Sequence, residues 1–179
     1  MTSRDAMIDS AIALFRERGV AATSLRDVVE HSGAPRGSIY HHFPAGKDQL
    51  AAEATTRAGA FIGSLLDSDR APADTVRSFV DHWAAEMRRT GFDTGCPAAA
   101  AALGSETPSA RAAAGAAFES WQARIASGLV AHGRSAEEAG SLAALIVAAI
   151  EGALILCRAQ GSEEPLRAVG AQLGSLLGV

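Results

Sequence analysis

Apolar side chains recur along this chain at helical spacing, and runs with the period of two that a strand requires are nearly absent. Ile8, Ala11, Ile12 and Phe15 fall at i, i+3, i+4 and i+7 and predict a first helix over Arg4–Arg18, stopped by Gly19. Thr23 or Ser24 can N-cap a second segment, Leu25–His31, whose Asp27 suits the positive end of the helix dipole. Leu25, Val28 and Val29 then face Ile8, Ile12 and Phe15 in a small three-helix core. The third helix, Arg36–His42, ends at Phe43-Pro44, because proline disfavours helical backbone in its predecessor.

A fourth helix runs from about Gly46 to Asp67, with a break at Ser68–Pro72. The fifth, Ala73–Thr90, carries an apolar stripe of Val76, Phe79, Val80, Trp83 and Met87. A turn at Gly91–Pro97 leads to a short helix over Ala98–Leu103 and a break at Gly104–Pro108. Helices over about Ser109–His132, Ser135–Gln160 and Glu163–Leu177 complete an all-α chain of about nine helices: a small N-terminal module continued by a larger helical body.

Composition supports that picture and removes several functions. Of 179 residues, 48% are hydrophobic and 5% aromatic, enough for a core of closely packed, alanine-rich helices. Leu142–Cys157 is strongly apolar, but it contains Glu151 and is shorter than the roughly 18–20 residues of a bilayer span. A helix buried by other helices is expected there, with no secretory signal and a cytoplasmic location. Cys96 and Cys157 lie far apart without metal-ligand spacing, so buried thiols are expected and no metal or cofactor is. No P-loop, dinucleotide fingerprint or nucleophile elbow is present, which argues against an enzyme.

The net charge of −4 argues at first against nucleic acid, but its distribution points the other way. Residues 1–50 balance six basic side chains with six acidic ones, so residues 51–179 carry the whole deficit. Between Ser32 and Lys47 stand two basic residues, two histidines and no acid. Two short helices across a Gly-containing turn, the second rich in donors, are what a helix-turn-helix needs. Arg36 can bond guanine or phosphate, Gly37 admits close approach of the backbone, and Ser38 offers a hydroxyl. Tyr40 has a hydroxyl for phosphate or a ring for packing. His41 and His42 divide between phosphate, base and packing roles, and Ile39 and Phe43 are core.

Thr23-Ser24-Leu25-Arg26-Asp27-Val28-Val29, Ser32-Gly33-Ala34, Gly37-Ser38-Ile39-Tyr40-His41-His42-Phe43 and Lys47 together resemble the TetR family of bacterial transcriptional regulators. The wording Ala34–Pro44, the Gly46-Lys47 pair and Gly95-Cys96-Pro97 look like its LmrA/YxaF-like branch. The resemblance implies a DNA-binding domain over residues 1–46 and a ligand-binding and dimerisation domain over 47–179. It also implies a homodimer on a palindromic double-stranded operator, released by a small-molecule effector. Arg26 joins the reader candidates on that basis, while Lys47, Thr23 and Ser24 fit phosphate clamps at helix N-termini.

Family pockets lie among the corresponding helices, which makes Phe79, His82, Trp83, Glu86, Met87, Phe118, Trp121, Gln122, Ile125 and Arg158 the candidate lining for a hydrophobic or aromatic effector. For the dimer face, Leu142, Leu145, Ile146, Ala149, Ala153 and Leu156 on one helix and Leu166, Val169, Leu173 and Leu176 on the next are expected to build a four-helix contact. The rival reading is a helical interaction protein whose DNA reader has degenerated.

Overall fold

The computed structural model of the chain describes residues 2–66, 69–104 and 106–178. Among them stand nine helices and no strand: α1 Ser3–Arg18, α2 Leu25–Ser32, α3 Ser38–His42, α4 Gly46–Ser64, α5 Pro72–Arg89, α6 Pro97–Ala102, α7 Pro108–Ala131, α8 Ala136–Gln160 and α9 Glu164–Leu177. The expected end of the fourth helix at Asp67, the first break residue Ser68, and Ser105 in the next break lie outside the described residues. Two compact units divide the chain: residues 1–60 with 96–117, and residues 61–95 with 118–179. The helices α4 and α7 each contribute residues to both units.

In the first unit, α1 starts at a reciprocal cap: Thr2 accepts from the Asp5 amide at 3.1 Å, and the Asp5 side chain accepts in return from the Thr2 amide. It packs on α2, α3 and α6. Its buried face is therefore wider than the expected stripe, taking in Met7 and Leu14 beside Ile8, Ala11 and Phe15, while Ile12 is half-buried. Ile39, Phe43 and Leu50 close this core at 2% exposure or less.

Charge ties α4 to α1. Arg57 donates to Asp5 at 2.6 Å and to Asp9 at 3.0 Å, and Arg4 pairs with Glu53. Asp48 accepts the Ser109 amide at 3.0 Å, capping the first turn of α7. Further along, α4 and α7 come so close that a Cβ built on Gly59 would stand 2.7 Å from that of Ala117.

The second unit packs α5 and α8 against α9. Its core holds Val76, Val80, Trp83, Met87, Leu129, Ile146, Ile150, Leu154, Cys157 and Leu166. Arg88 pairs with Glu163 and Arg167 with Asp81, joining α5 to α9 and its leading turn. Gly170 lets α9 settle on Val80, whose nearest methyl would lie 3.0 Å from an added Cβ. By length and composition α8 could cross a membrane, but here it is a packed helix with Ala139, Ala143, Ile146, Ile150, Ala153, Leu154 and Cys157 buried. Burial pushes the Cys157 thiol above its ordinary range.

Candidate nucleic-acid interface

Ser24 and Asp27 cap α2 reciprocally. The serine hydroxyl accepts the Asp27 amide at 3.1 Å, and the aspartate accepts the Ser24 amide at 2.7 Å. The Ser24 hydroxyl bond, followed by its backbone bond, holds the Asp27 carboxyl below the usual carboxylate range. Gly33 ends α2 in the left-handed region at φ +67°, a conformation that costs a side chain but suits glycine. The chain then turns through Pro35, whose carbonyl accepts both the Ser38 amide at 3.0 Å and the Ser38 hydroxyl at 2.7 Å. That turn absorbs Arg36 and Gly37, so α3 is shorter than the expected Arg36–His42.

The two faces of α3 differ sharply. Ile39 is 2% exposed and Phe43 fully buried, which anchors the helix, whereas Tyr40 is 66% exposed. Arg36, Gly37 and His41 share the solvent side with Tyr40. Beside them, Leu25, Arg26, Val29, Glu30, Arg36, Ile39 and Tyr40 line a shallow groove between α2 and α3. Glu30 is the one acid in that lining, and its carboxylate takes the Arg26 guanidinium at 2.8 Å. The exposed Arg36 side chain makes no hydrogen bond or ion pair with any described residue. The fork is therefore aimed outward and uncommitted, a geometry suited to two parallel bonds to guanine or phosphate.

The remaining reader candidates are placed less uniformly. Thr23 corrects the expectation of a phosphate clamp: it is 1% exposed, and its hydroxyl donates to the Gly19 carbonyl at 2.9 Å. Only Ser24 of that pair is exposed, and its hydroxyl serves the cap. The Lys47 ammonium donates to the Ala21 carbonyl at 3.1 Å, which fixes it beside the start of α2 with two donors left over. His42 is half-buried, edge-on to Phe43 with ring centroids 6.4 Å apart, and so is the packing member of the histidine pair. The Arg4 guanidinium carbon lies 5.2 Å from the same Phe43 ring centroid.

Residues 7–54 match the model for bacterial regulatory proteins of the tetR family, and residues 72–172 match that for the C-terminal domain of LmrA/YxaF-like transcriptional regulators. The chain belongs to the TetR family. An HTH-type transcriptional regulator of Mycobacterium tuberculosis is 37% identical over 97% of this chain and 93% of its own length. YxaF of Bacillus subtilis, also an HTH-type transcriptional regulator, is 34% identical over 98% and 95%. Among solved structures, a TetR regulator from Legionella pneumophila aligns at a TM-score of 0.88 with 22% identity, covering 98% of this chain and 97% of that one. A regulatory protein TetR from Rhodobacter sphaeroides aligns at 0.86 with 24% identity, covering 97% of each. The chain is thus a transcriptional regulator of the helix-turn-helix, DNA-binding kind, with the all-helical fold of its family.

In this TetR-family chain the second unit contains a narrow cleft with about 30 Å³ open to the centres of water-sized spheres; its atom-free space of about 590 Å³ counts the open mouth as well. Phe79, Trp121 and Ile125 line it, as the sequence suggested for a pocket. The other candidates do not. Trp83 and Met87 are core side chains at 2% and 0% exposure, because the stripe of α5 is wide enough to face both the cleft and its neighbouring helices. His82 leans on Phe61 and Trp83, Glu86 pairs with Arg89, and Phe118 meets Trp121 edge-on at 5.2 Å. Gln122 is half-buried outside the lining, and Arg158 is exposed on α8. Sequence reasoning missed Leu66, Arg70, Thr75, Val76, Arg124, Ile146, Val147, Ile150 and Glu151, which come from four stretches of chain with no shared local pattern.

The apolar faces of α8 and α9 divide in the same way. Ile146, Ala153, Leu166 and Leu173, expected to face a partner, are 0–4% exposed inside their own unit and have no surface to offer one. Leu142, Ala149 and Val169 are half-buried. Leu145, Leu156 and Leu176 remain exposed at 47–49%, and Ile155, absent from the expected face, is exposed at 62%. Position 155 lies ten residues beyond 145, roughly 80° off its line around the helix, so the helical period places Leu156 but not Ile155 on the Leu145 face.

Proposed function

We propose that the chain is a cytoplasmic repressor that binds a palindromic operator as a homodimer and releases it when a small hydrophobic or aromatic effector enters the cleft. The observation that carries the reading is α3. It is anchored by Ile39 and Phe43 and exposes Arg36, Tyr40 and His41, beside a groove whose one lining acid, Glu30, is paired with Arg26. In this reading Arg36 bonds a guanine edge, the Tyr40 hydroxyl meets a phosphate, and Ser38, Gly37 and Lys47 follow the backbone beside them. His41 contributes a phosphate contact. The exposed Leu145, Ile155, Leu156 and Leu176 support pairing of two copies through α8 and α9, since apolar side chains at that exposure gain from burial. Phe79, Trp121 and Ile125 support an apolar effector.

The test is a binding titration with duplexes taken from upstream of the gene itself and of its neighbours. Saturable, salt-sensitive binding of two chains per site is expected, weakened in Tyr40→Phe. Binding no tighter to these duplexes than to scrambled DNA overturns the repressor reading and leaves the interaction protein standing.

A further inference from the structure

The cleft in the second unit carries charge as well as apolar surface, and its charges are unequal. Val76, Phe79, Trp121, Ile125 and Ile150 make its walls, while Arg70, Arg124 and Glu151 supply two cations and one anion. Arg70 donates to the Ser78 hydroxyl at 3.3 Å. The Arg124 side chain, exposed at the cleft's edge, makes no hydrogen bond or ion pair with any described residue.

That is unusual in this chain. Apart from Arg36 on the reader, the other arginines all have a hydrogen bond, an ion pair or another polar contact. Nor is the Arg124 side chain far from the wall: its Nε lies 3.9 Å from the Cβ position of Gly63, beside the Trp121 ring, and Gly63 leaves the room for it. A planar, uncommitted fork beside an aromatic wall suits a carboxylate- or sulfonate-bearing ligand, bonded in two places while its body stacks within.

We propose that the effector is an apolar, ring-containing molecule bearing one anionic group, held by Arg124 with its body against Phe79 and Trp121. Glu151 offsets one of the two cations, so the lining favours a single negative charge over two and disfavours a cation. The inference rests on the cleft being the effector site, and the experiment separates the two claims.

Two fluorescent probes of nearly the same ring body serve: anilinonaphthalene sulfonate, which is anionic, and phenylnaphthylamine, which is neutral. Both should bind the wild-type chain, and Val147→Trp, which fills the cleft, should abolish both. The sulfonate should bind about tenfold tighter than the neutral probe, the scale of one charge-assisted contact. Arg124→Gln should remove about that factor for the sulfonate and leave the neutral probe within about twofold, with Arg124→Lys restoring part of the loss. Equal binding of the two probes, or sulfonate binding indifferent to Arg124→Gln, overturns the anion preference while leaving the cleft intact as a site. Failure of both probes to bind, or binding that survives Val147→Trp, overturns the cleft reading and the preference with it.

Discussion

The two units of this chain use arginine alike, and each departs from its own habit once. In the first unit, Arg57 and Arg4 fasten α4 to α1 through Asp5, Asp9 and Glu53. In the second, Arg88 and Arg167 join α5 to α9 through Glu163 and Asp81. Against that background, among the described residues, one guanidinium in each unit has no polar partner: Arg36 beside α3, and Arg124 at the cleft. Paired arginines at this exposure act as positioning ties of small net energy. An unpaired one on a surface rich in donors, or at an apolar cleft, is where a binding partner gains most. The difference therefore lies in partner: a polyanion for the first unit, a small anion for the second.

Arg36 can serve a polyanion only while α3 is rigidly seated. Phe43→Ala, which empties a fully buried aromatic position, should cost about 3–5 kcal/mol. Denaturant unfolding would show it, together with loss of DNA binding at temperatures where the second unit stays folded. Retained DNA binding with an unchanged midpoint would mean that the reader does not hang on this anchor. Gly59→Ala comes next, because its Cβ would meet that of Ala117 at 2.7 Å within one unit. Forcing α4 and α7 apart should cost about 1–3 kcal/mol, measured the same way. No loss would mean that the two helices can separate freely.

A smaller effect distinguishes ties from readers. Asp5 is held well below the ordinary carboxylate value of 3.8, chiefly by the Thr2 hydroxyl and then by Arg57. A carboxyl depressed in the folded state stabilises above its unfolded pKa and loses that contribution as pH falls through the lower folded value. The first unit should therefore weaken below about pH 4, and Arg57→Gln, with Asp5 less depressed, should have less stability to lose there. Hydrogen exchange in α1 across that range checks both, and operator affinity at neutral pH should barely change. An identical acid profile for both proteins would show that Arg57 does not tie α1. Because the reader offers few cations, the dependence of log K on log salt should also be shallow, corresponding to fewer than about ten phosphates.

Much of the first unit was legible because its signals are local. Ser24 and Asp27 three residues apart announce the cap, Gly33 announces the turn, and Phe43-Pro44 closes α3. Even there, Thr23 misleads: a threonine next to a helix start looks like a clamp, and only packing shows its hydroxyl turned inward to Gly19. The second unit hid more. Its α5 stripe correctly marks a buried face, but the period cannot say whether that face meets side chains, as at Met87, or a cleft, as at Phe79. Likewise α8 is apolar over more than one face, so the pattern could not separate inward Ile146 and Ala153 from outward Leu145 and Ile155. Arg124 stayed hidden for the opposite reason: a lone arginine on a helix reads as solvated surface until its neighbours are known.

The most direct test of the account is the change in operator affinity caused by Arg36→Ala, measured at one salt concentration in a protein whose melting temperature and dimerisation match the wild type. A loss of about 1–3 kcal/mol, or roughly tenfold to a hundredfold, is the predicted result for a guanidinium bonded to a base edge. Wild-type affinity would contradict the claim that the uncommitted arginine beside α3 is what reads the DNA.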